Sequence, residues 1–433
     1  MQLTQQIRIE PTKEQESVLS DLSERCRLLY NFGLAERRDA FDKGIKGINY
    51  RKQQDDLPEL KKRYPEYVWV NSKVLQMTLK ILDANYKSFF ALNKKGDKNA
   101  KPPKFRGSKY FTTMLFNQSG YSVKNGFIAL SHKHPSGTEL KFRIPKNLTL
   151  GHVYQISIYK RGKEYYLSII HENKPEKEYK DNGIYQAFDL GVAKHTAVNS
   201  KGKFTEFTNQ RPDRYWASPI KSIQSRKDHC RRGSRRWNYY NKVLNSLQAK
   251  SSNQMKDIQH KLSRQIIENT KANTIIVGDL SVKEMSKKEN IPAGMTVKGT
   301  RSLHRVMQNT GSISRFIGFL TYKAELAGKR VIKISERDTT KACCRCGKKK
   351  DMALFVRVYE CDCGNIIDRD RNSAVNIMSR FLSQNALWQG YRQFADNLRQ
   401  TGIAIQSGAV YSEEAHPFTG GRRSLLLRAN SKK

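Results

Sequence analysis

Residues 331–377 read VIKISERDTTKACCRCGKKKDMALFVRVYECDCGNIIDRDRNSAVNI and hold five of the chain's seven cysteines. Cys343-x-x-Cys346 is followed, after a short linker, by Cys361-x-Cys363, and two such knuckles supply the four thiolates that tetrahedral zinc takes. The second pair has a single residue between its cysteines and asks for a tighter knuckle, while Cys344 stands beside Cys343 as an alternative ligand. Buried reduced thiols would be the plain alternative, but charged residues crowd both pairs and argue against an apolar setting. The spacing predicts one structural Zn²⁺.

Carboxylates flank this ribbon. The strand-like run Val331-Ile332-Lys333-Ile334 leads to Glu336, and Asp368 and Asp370 follow the second knuckle where a helix opens. Farther upstream, Ile184-Tyr185-Gln186-Ala187-Phe188-Asp189-Leu190-Gly191 is another apolar strand ending on an acid and a glycine. Any one of these acids reads as a cap or turn residue, but their recurrence at strand ends suits phosphodiester cleavage with two metal ions, since Mg²⁺ takes hard oxygen ligands.

Charge narrows the partners. The 433 residues carry 80 Lys and Arg against 40 Asp and Glu, a formal +40, and 37% hydrophobic residues suffice for two to four cores. Such an excess repels itself unless a polyanion neutralises it, which favours nucleic acid over a membrane surface. The sequence has neither a run of the length a membrane span needs nor a signal-like apolar core in MQLTQQIRIEP, so a cytoplasmic protein with reduced cysteines is expected.

Taken in order, Leu3 to Ile9 reads as a strand, and Thr12 with Gln15 forms a capping-box pattern ahead of a helix through Val18, Leu22, Leu28, Leu29 and Phe32. A charged, aromatic-rich loop spans 51–70, and a second helix is expected over 72–92. From the KPPKFR segment at 101–106 the pattern changes to short strands at 111–116, 127–130, 140–144, 152–159 and 164–170, a small antiparallel barrel or sheet. Lys109, Tyr110, Tyr159, Lys160, Arg161, Tyr165 and Tyr166 interleave bases and rings along it, as a surface that stacks on nucleobases and grips phosphates would. A three-stranded meander follows Gly183, and then a basic helix over about 222–269 whose start carries Arg226, Lys227, Arg231, Arg232, Arg235 and Arg236. Thr274 to Val277 is a buried strand leading into Gly278-Asp279-Leu280; a polar loop over 287–300 and a helix over 301–327 return the chain to Val331. Strand, helix, strand predicts a right-handed parallel crossover with Asp279 and Glu336 at equivalent strand ends. A final helix is expected over 372–382, and a loose tail beyond about Thr401.

Asp189-Leu190-Gly191, the strand IIVGDLSV, the cysteine ribbon and DRDRNSAVNI, in that order, resemble the transposon-encoded TnpB (OrfB) family, the lineage of compact type V CRISPR effectors and Fanzor proteins; TQQIRIEPTKEQESVLSDLSERCRLLYNFGL and KPPKFRG extend the resemblance over nearly the whole chain. The resemblance implies a multidomain α/β and α+β protein, with a RuvC/RNase H-like nuclease domain carrying a zinc-ribbon insertion and an N-terminal β-barrel (wedge) domain interrupted by a helical recognition domain. Laid on this chain, the wedge takes 1–10 and 101–180, the recognition domain 11–100, the nuclease domain 181–340 and 367–400, the ribbon 341–366 and a flexible tail 401–433. It further implies an RNA-guided DNA endonuclease that uses a large non-coding guide RNA, cuts double-stranded target DNA beside a flanking motif and holds two Mg²⁺ ions. Many members read Glu-Asp-Leu where this chain has Gly278-Asp279-Leu280, and some branches carry the glutamate instead on the neighbouring strand just before the ribbon, where Glu336 stands. The implied ligands are Asp189, Glu336 and Asp370, with Asp279 in reserve and Asp370 preferred to Asp368 for its spacing to Asn372. A nuclease-inactive, RNA-guided DNA-binding repressor of the same descent is the alternative, against which the intact Asp189, Asp370 and ribbon argue; a ribosome-like RNA-binding zinc protein is a third, and it would not need three acids at strand ends.

Overall fold

The computed structural model describes residues 1–45, 48–279, 300, 313–353, 356–403 and 405. They divide into two units, 1–174 and 175–433.

In the first unit, β1 (Gln2–Ile9) leads to α1 (Lys13–Asp42), whose N-cap Thr12 accepts from the Gln15 backbone while the Gln15 side chain answers, as the capping-box pattern predicts. The stretch 51–70, expected as a loop, instead forms two short helices, α2 (Tyr50–Asp55) and α3 (Leu57–Arg63), and a 3₁₀ turn at Pro65–Trp69. Asn49 caps the first, Pro58 sits in the first turn of the second, and Leu57 and Tyr67 give the segment its buried anchors, so packing overrides the polar composition. Helix α4 (Ser72–Lys94) buries Val74, Leu75, Leu79 and Leu82, whereas Phe90 and, on α1, Phe32 are exposed.

Six further strands complete this unit: β2 (Met114–Asn117), β3 (Tyr121–Lys124), β4 (Phe127–Leu130), β5 (Leu140–Arg143), β6 (Val153–Arg161) and β7 (Glu164–Glu172). They form antiparallel sheets β1-β7-β6-β2 and β3-β4-β5, and one core joins both to α1 and α4. The short β3 was missed because its four residues carry little pattern. Of the interleaved bases and rings, Tyr165 is buried against Phe111, while Tyr159 and Tyr166 stack with Arg161 over both.

The second unit holds the meander β8 (Tyr185–Leu190), β9 (Lys194–Asn199) and β10 (Phe204–Thr208). The single long basic helix expected next is two helices, α5 (Pro212–Asp228) and α6 (Arg235–Asn269), broken where Gly233 turns at φ +85° and Ser234 caps the second helix by accepting from Trp237 N. Strand β11 (Thr274–Gly278) pairs in parallel with β8 on one side and with β12 (Arg330–Ile334) on the other, and the sheet order is β10-β9-β8-β11-β12. Of the expected helix over 301–327, α7 (Ile313–Leu326) is described; its first part, the loop at 287–299, Leu280 and most of the tail lie outside the described residues. A hairpin, β13 (Val358–Glu360) with β14 (Ile366–Asp368), precedes α8 (Arg369–Gln384). Among the described residues the last helix is not α8 but α9 (Trp388–Gln400), which buries Tyr391, Phe394 and Leu398.

Strand periodicity assigns the sheet's two faces. Phe188, Leu190, Ile275 and Val277 pack with residues of α6 and α7, while Tyr185, Ala187, Ile276 and Ile334 pack with α8 and α9. Continuing the period of two past the apolar residues puts Asp189, Gly278 and Glu336 on the α8 face.

Candidate active site and metal centre

Because β8, β11 and β12 are parallel, their C-terminal ends share one edge of the sheet. Phe188 pairs with Val277 and Gly278 with Ile334, so Asp189 comes level with Gly278, while Asp279 and Glu336 follow just past the ends of β11 and β12. Asp279 N donates to Ile334 O at 2.6 Å, extending that ladder by one rung. Asp370 comes from the first turn of α8, where Asp368 is the N-cap and accepts from the Asp370 and Arg371 backbones.

Their mutual repulsion marks these acids as neighbours. Burial, then the charge of Asp370, pushes Asp189 up to about 7, against a hydrogen bond from Ser373 and the charge of Arg369. Burial, then Asp189 and Asp279, pushes Glu336 up to about 8, with Arg380 opposing. Glu336 Oε1 is buried and has no hydrogen-bond partner. A buried carboxylate oxygen left unpaired among like charges is the setting a hard cation would fit. The carboxylates are nonetheless not drawn together as ligands: among the described residues, only the cysteines bring three or more ligand atoms within 4.8 Å of one another.

Gly278 explains how Glu336 reaches in. A Cβ on Gly278 would stand 1.5 Å from Glu336 Oε1, 1.7 Å from its Cδ and 1.8 Å from its Cγ. The Glu336 side chain therefore fills the space that any side chain at 278 would need.

Sequence reasoning missed the residues that hold these acids. Arg380 donates to Ser335 O at 2.5 Å and to Arg337 O at 2.9 Å, gripping the backbone on both sides of Glu336. Asn372, Ser373 and Asn376 lie buried on the face of α8 that meets the 339–344 segment. Asn376 donates to Thr339 O and Ala342 O, each at 2.8 Å, and Asn372 donates to Ala342 O at 2.8 Å while accepting from Cys344 N at 2.9 Å. The visible signal was N-S-A-V-N, polar residues at the i and i+4 positions of an otherwise apolar helix face. Lys194 was also missed. Gly191 N donates to Lys194 O at 3.1 Å, and a Cβ at Gly191 would lie 2.6 Å from that oxygen, so the tight turn after Asp189 depends on glycine and returns a lysine to the acids.

In the ribbon, Cys343, Cys346, Cys361 and Cys363 converge as their spacing predicts. Sγ separations of 3.7 Å for Cys343–Cys363 and 3.5 Å for Cys346–Cys361 approach the roughly 3.8 Å edge of a tetrahedron with metal–sulfur bonds of about 2.3 Å. Cys344 is outside the cluster; burial pushes its thiol up to about 12. Asn365 donates to Cys343 Sγ at 3.4 Å, a supporting contact of the kind ligating sulfurs receive.

Comparison with known proteins adds the following. Residues 314–377 match the family described as Cas12f1-like, TNB domain, and residues 1–46 the helix-turn-helix domain of the OrfB/IS605 type. A Streptomyces pristinaespiralis protein named "Putative RNA-guided DNA endonuclease" is 24% identical over 408 residues, covering 90% of this chain and 92% of its own. InsQ of Escherichia coli K12, of the same description, is 24% identical over 380 residues, 86% of this chain and 90% of its own. TnpB-like protein L79 of Acanthamoeba polyphaga mimivirus is 36% identical over 146 residues, 34% of this chain and 26% of its own. Among solved structures, the Cas12f1 chain of a complex with sgRNA and target DNA shares the fold at a TM-score of 0.56 and 13% identity, covering 84% of this chain and 83% of that one.

Proposed function

We propose that the chain is a TnpB-like, RNA-guided DNA endonuclease whose cleavage site is the acid cluster of Asp189, Glu336 and Asp370, a reading these matches support. The observation that carries this reading is Glu336 lying over Gly278: the carboxylate absent from one strand end is supplied from the next, into the same space. A decayed site would have no reason to keep that exchange, which weighs against the repressor alternative.

In this reading, Asp189, Asp370 and Glu336 would hold two Mg²⁺ ions, while Asp279 lies close enough to charge the site without being required as a ligand. Magnesium bound there would supply a water of lowered pKa and a counter-charge for the leaving oxygen. The protein's part is placement. Arg380 fixes the backbone around Glu336, and Asp368 caps the helix that carries Asp370. The four ribbon cysteines would hold Zn²⁺, closing residues 343–363 into one unit.

Residues 181–340 and 367–400 then form the RuvC-like domain, 341–366 the ribbon, 1–10 and 101–180 the wedge, and 11–100 the recognition domain. The +40 charge suits a large non-coding guide RNA and a double-stranded DNA target with a flanking motif. Among the described residues, no helix is long and apolar enough to cross a membrane.

The test is to sequence the RNA that copurifies with the protein, then assay plasmid cleavage with that RNA and magnesium. Guided cutting that the RNA-free protein does not show is the expected outcome. Sequence-specific cutting by RNA-free protein would overturn guidance, and guided binding that never leads to cleavage would establish the repressor.

A further inference from the structure

The acid site carries its own counter-ion. Lys194 Nζ lies 3.3 Å from Glu206 Oε2, 3.3 Å from Asp368 Oδ2 and 3.7 Å from Asp370 Oδ2. These carboxylates come from a strand, a helix cap and the first helical turn. The lysine reaches them because Lys194, Thr196 and Val198 alternate onto the α8 face, and because Glu206 pairs with Thr196 as a diagonal neighbour of Lys194. Arg371 holds the other oxygen of Glu206 at 2.9 Å.

The three partners differ in one respect. Asp370 is a proposed metal ligand, whereas Glu206 and Asp368 are not. Lys194 can therefore release Asp370 and remain paired with the other two. Its side chain is 25% exposed and that of Asp370 17%, so this charge is less screened than that of Arg357, which meets Asp370 Oδ1 at 3.4 Å from a side chain 59% exposed.

We propose that Lys194 is a positioning residue that sets the site's affinity for divalent metal, holding Asp370 Oδ2 by ion pairing and yielding it to the incoming ion. The proposal rests on the reading of these acids as a divalent-metal site. A lysine with this role keeps the carboxylates from driving the helix start away from the sheet, and it weakens metal binding to a level at which magnesium exchanges.

Mn²⁺ uptake by the full chain freed of nucleic acid, followed through the free-ion electron paramagnetic resonance signal, tests it. Uptake by wild type in excess of Glu336→Gln reports the acid site; equal uptake by the two overturns the metal-site reading itself. Given that excess, Lys194→Met is expected to bind Mn²⁺ about tenfold more tightly, the scale of removing one charge from beside a divalent ion in a water-screened site. Lys194→Arg keeps the charge and is expected to stay within about twofold of wild type. Unchanged or weaker binding by folded Lys194→Met overturns the proposal and leaves the metal-site reading standing, since a merely structural lysine would give that result. Lys194→Gln provides the same readout should the methionine variant fail to fold.

Discussion

The cysteine cluster and the acid cluster are built in opposite ways. The cysteine cluster is local, its ligands falling within residues 343–363, and its sulfurs approach to 3.5 and 3.7 Å. The acid cluster draws on positions 189, 279, 336 and 370, spread over three strand ends and a helix, and burial together with the neighbouring acids raises the pKa values of Asp189 and Glu336. A local site can close because its knuckles bend independently of the rest of the fold. A distributed site is held open by its own repulsion, so the scaffold must supply cations and backbone anchors, here Lys194, Arg380 and the buried polar face of α8. The first kind of site stabilises the fold when loaded, and the second draws on fold stability to keep charges together.

Substitution at Glu336 should break the acid cluster most severely. Glu336→Gln keeps the shape and removes the charge, so guided cleavage is expected to fall at least roughly a hundredfold with target binding retained, as for loss of a transition-state contact. Asp279→Asn should cost less. Normal cutting by Glu336→Gln beside failure of Asp279→Asn in the same plasmid assay would reverse the ligand assignment.

At the other cluster, Cys361→Ser should act through stability. Removing one thiolate should lower unfolding free energy by about 4 kcal/mol, the range of losing a structural metal, and reduce bound zinc in metal analysis. Cys344→Ser, outside the cluster, should retain the zinc. Equal zinc loss in both variants would mean the ligand set is wrong.

Gly278→Ala probes the space between the strands. A methyl group there collides with the Glu336 carboxylate, and overpacking of this kind typically costs about 1–3 kcal/mol, read as a lower melting temperature together with reduced cleavage. The exchanged pair, Gly278→Glu with Glu336→Gly, should recover part of the cleavage, because one carboxylate refills the same space. Wild-type behaviour of Gly278→Ala would show that Glu336 does not depend on that gap.

The smallest effect is in pH. Asp189 and Glu336 have folded values of about 7 and about 8, above those of free carboxyls, so the folded chain binds more protons than the unfolded one. Their contribution to stability is present at low pH and is lost as pH rises through these values. The melting temperature of chelator-treated protein should therefore drift down by a few degrees between about pH 6 and about pH 9, and Glu336→Gln should flatten that drift. An unchanged slope in the variant would remove Glu336 from the repelling cluster.

Much of this was legible in the residues because the signals are local. Cysteine spacing, the Thr12 capping box and the apolar runs ending at Asp189, Asp279 and Glu336 depend on neighbours a few positions away. The break in the long basic helix was also written in Arg-Gly-Ser at 232–234, but charge and apolar periodicity continued through it and masked the turn. The helices at 50–63 and 388–400 were missed because their anchors, Leu57 and Phe394, gain meaning only from the surfaces they bury against.

What the sequence alone determined was the set of chemical groups and the order of strands that carries them. Tertiary structure decided that Glu336 occupies the volume above Gly278, that Lys194 returns to Asp370, and that Asn372 and Asn376 tie α8 to the segment between Glu336 and the ribbon. The physical reason is the same in each case. These contacts join residues that are distant in the chain, and their geometry follows from which strands pair and in what register, a property of the folded sheet rather than of any stretch within it.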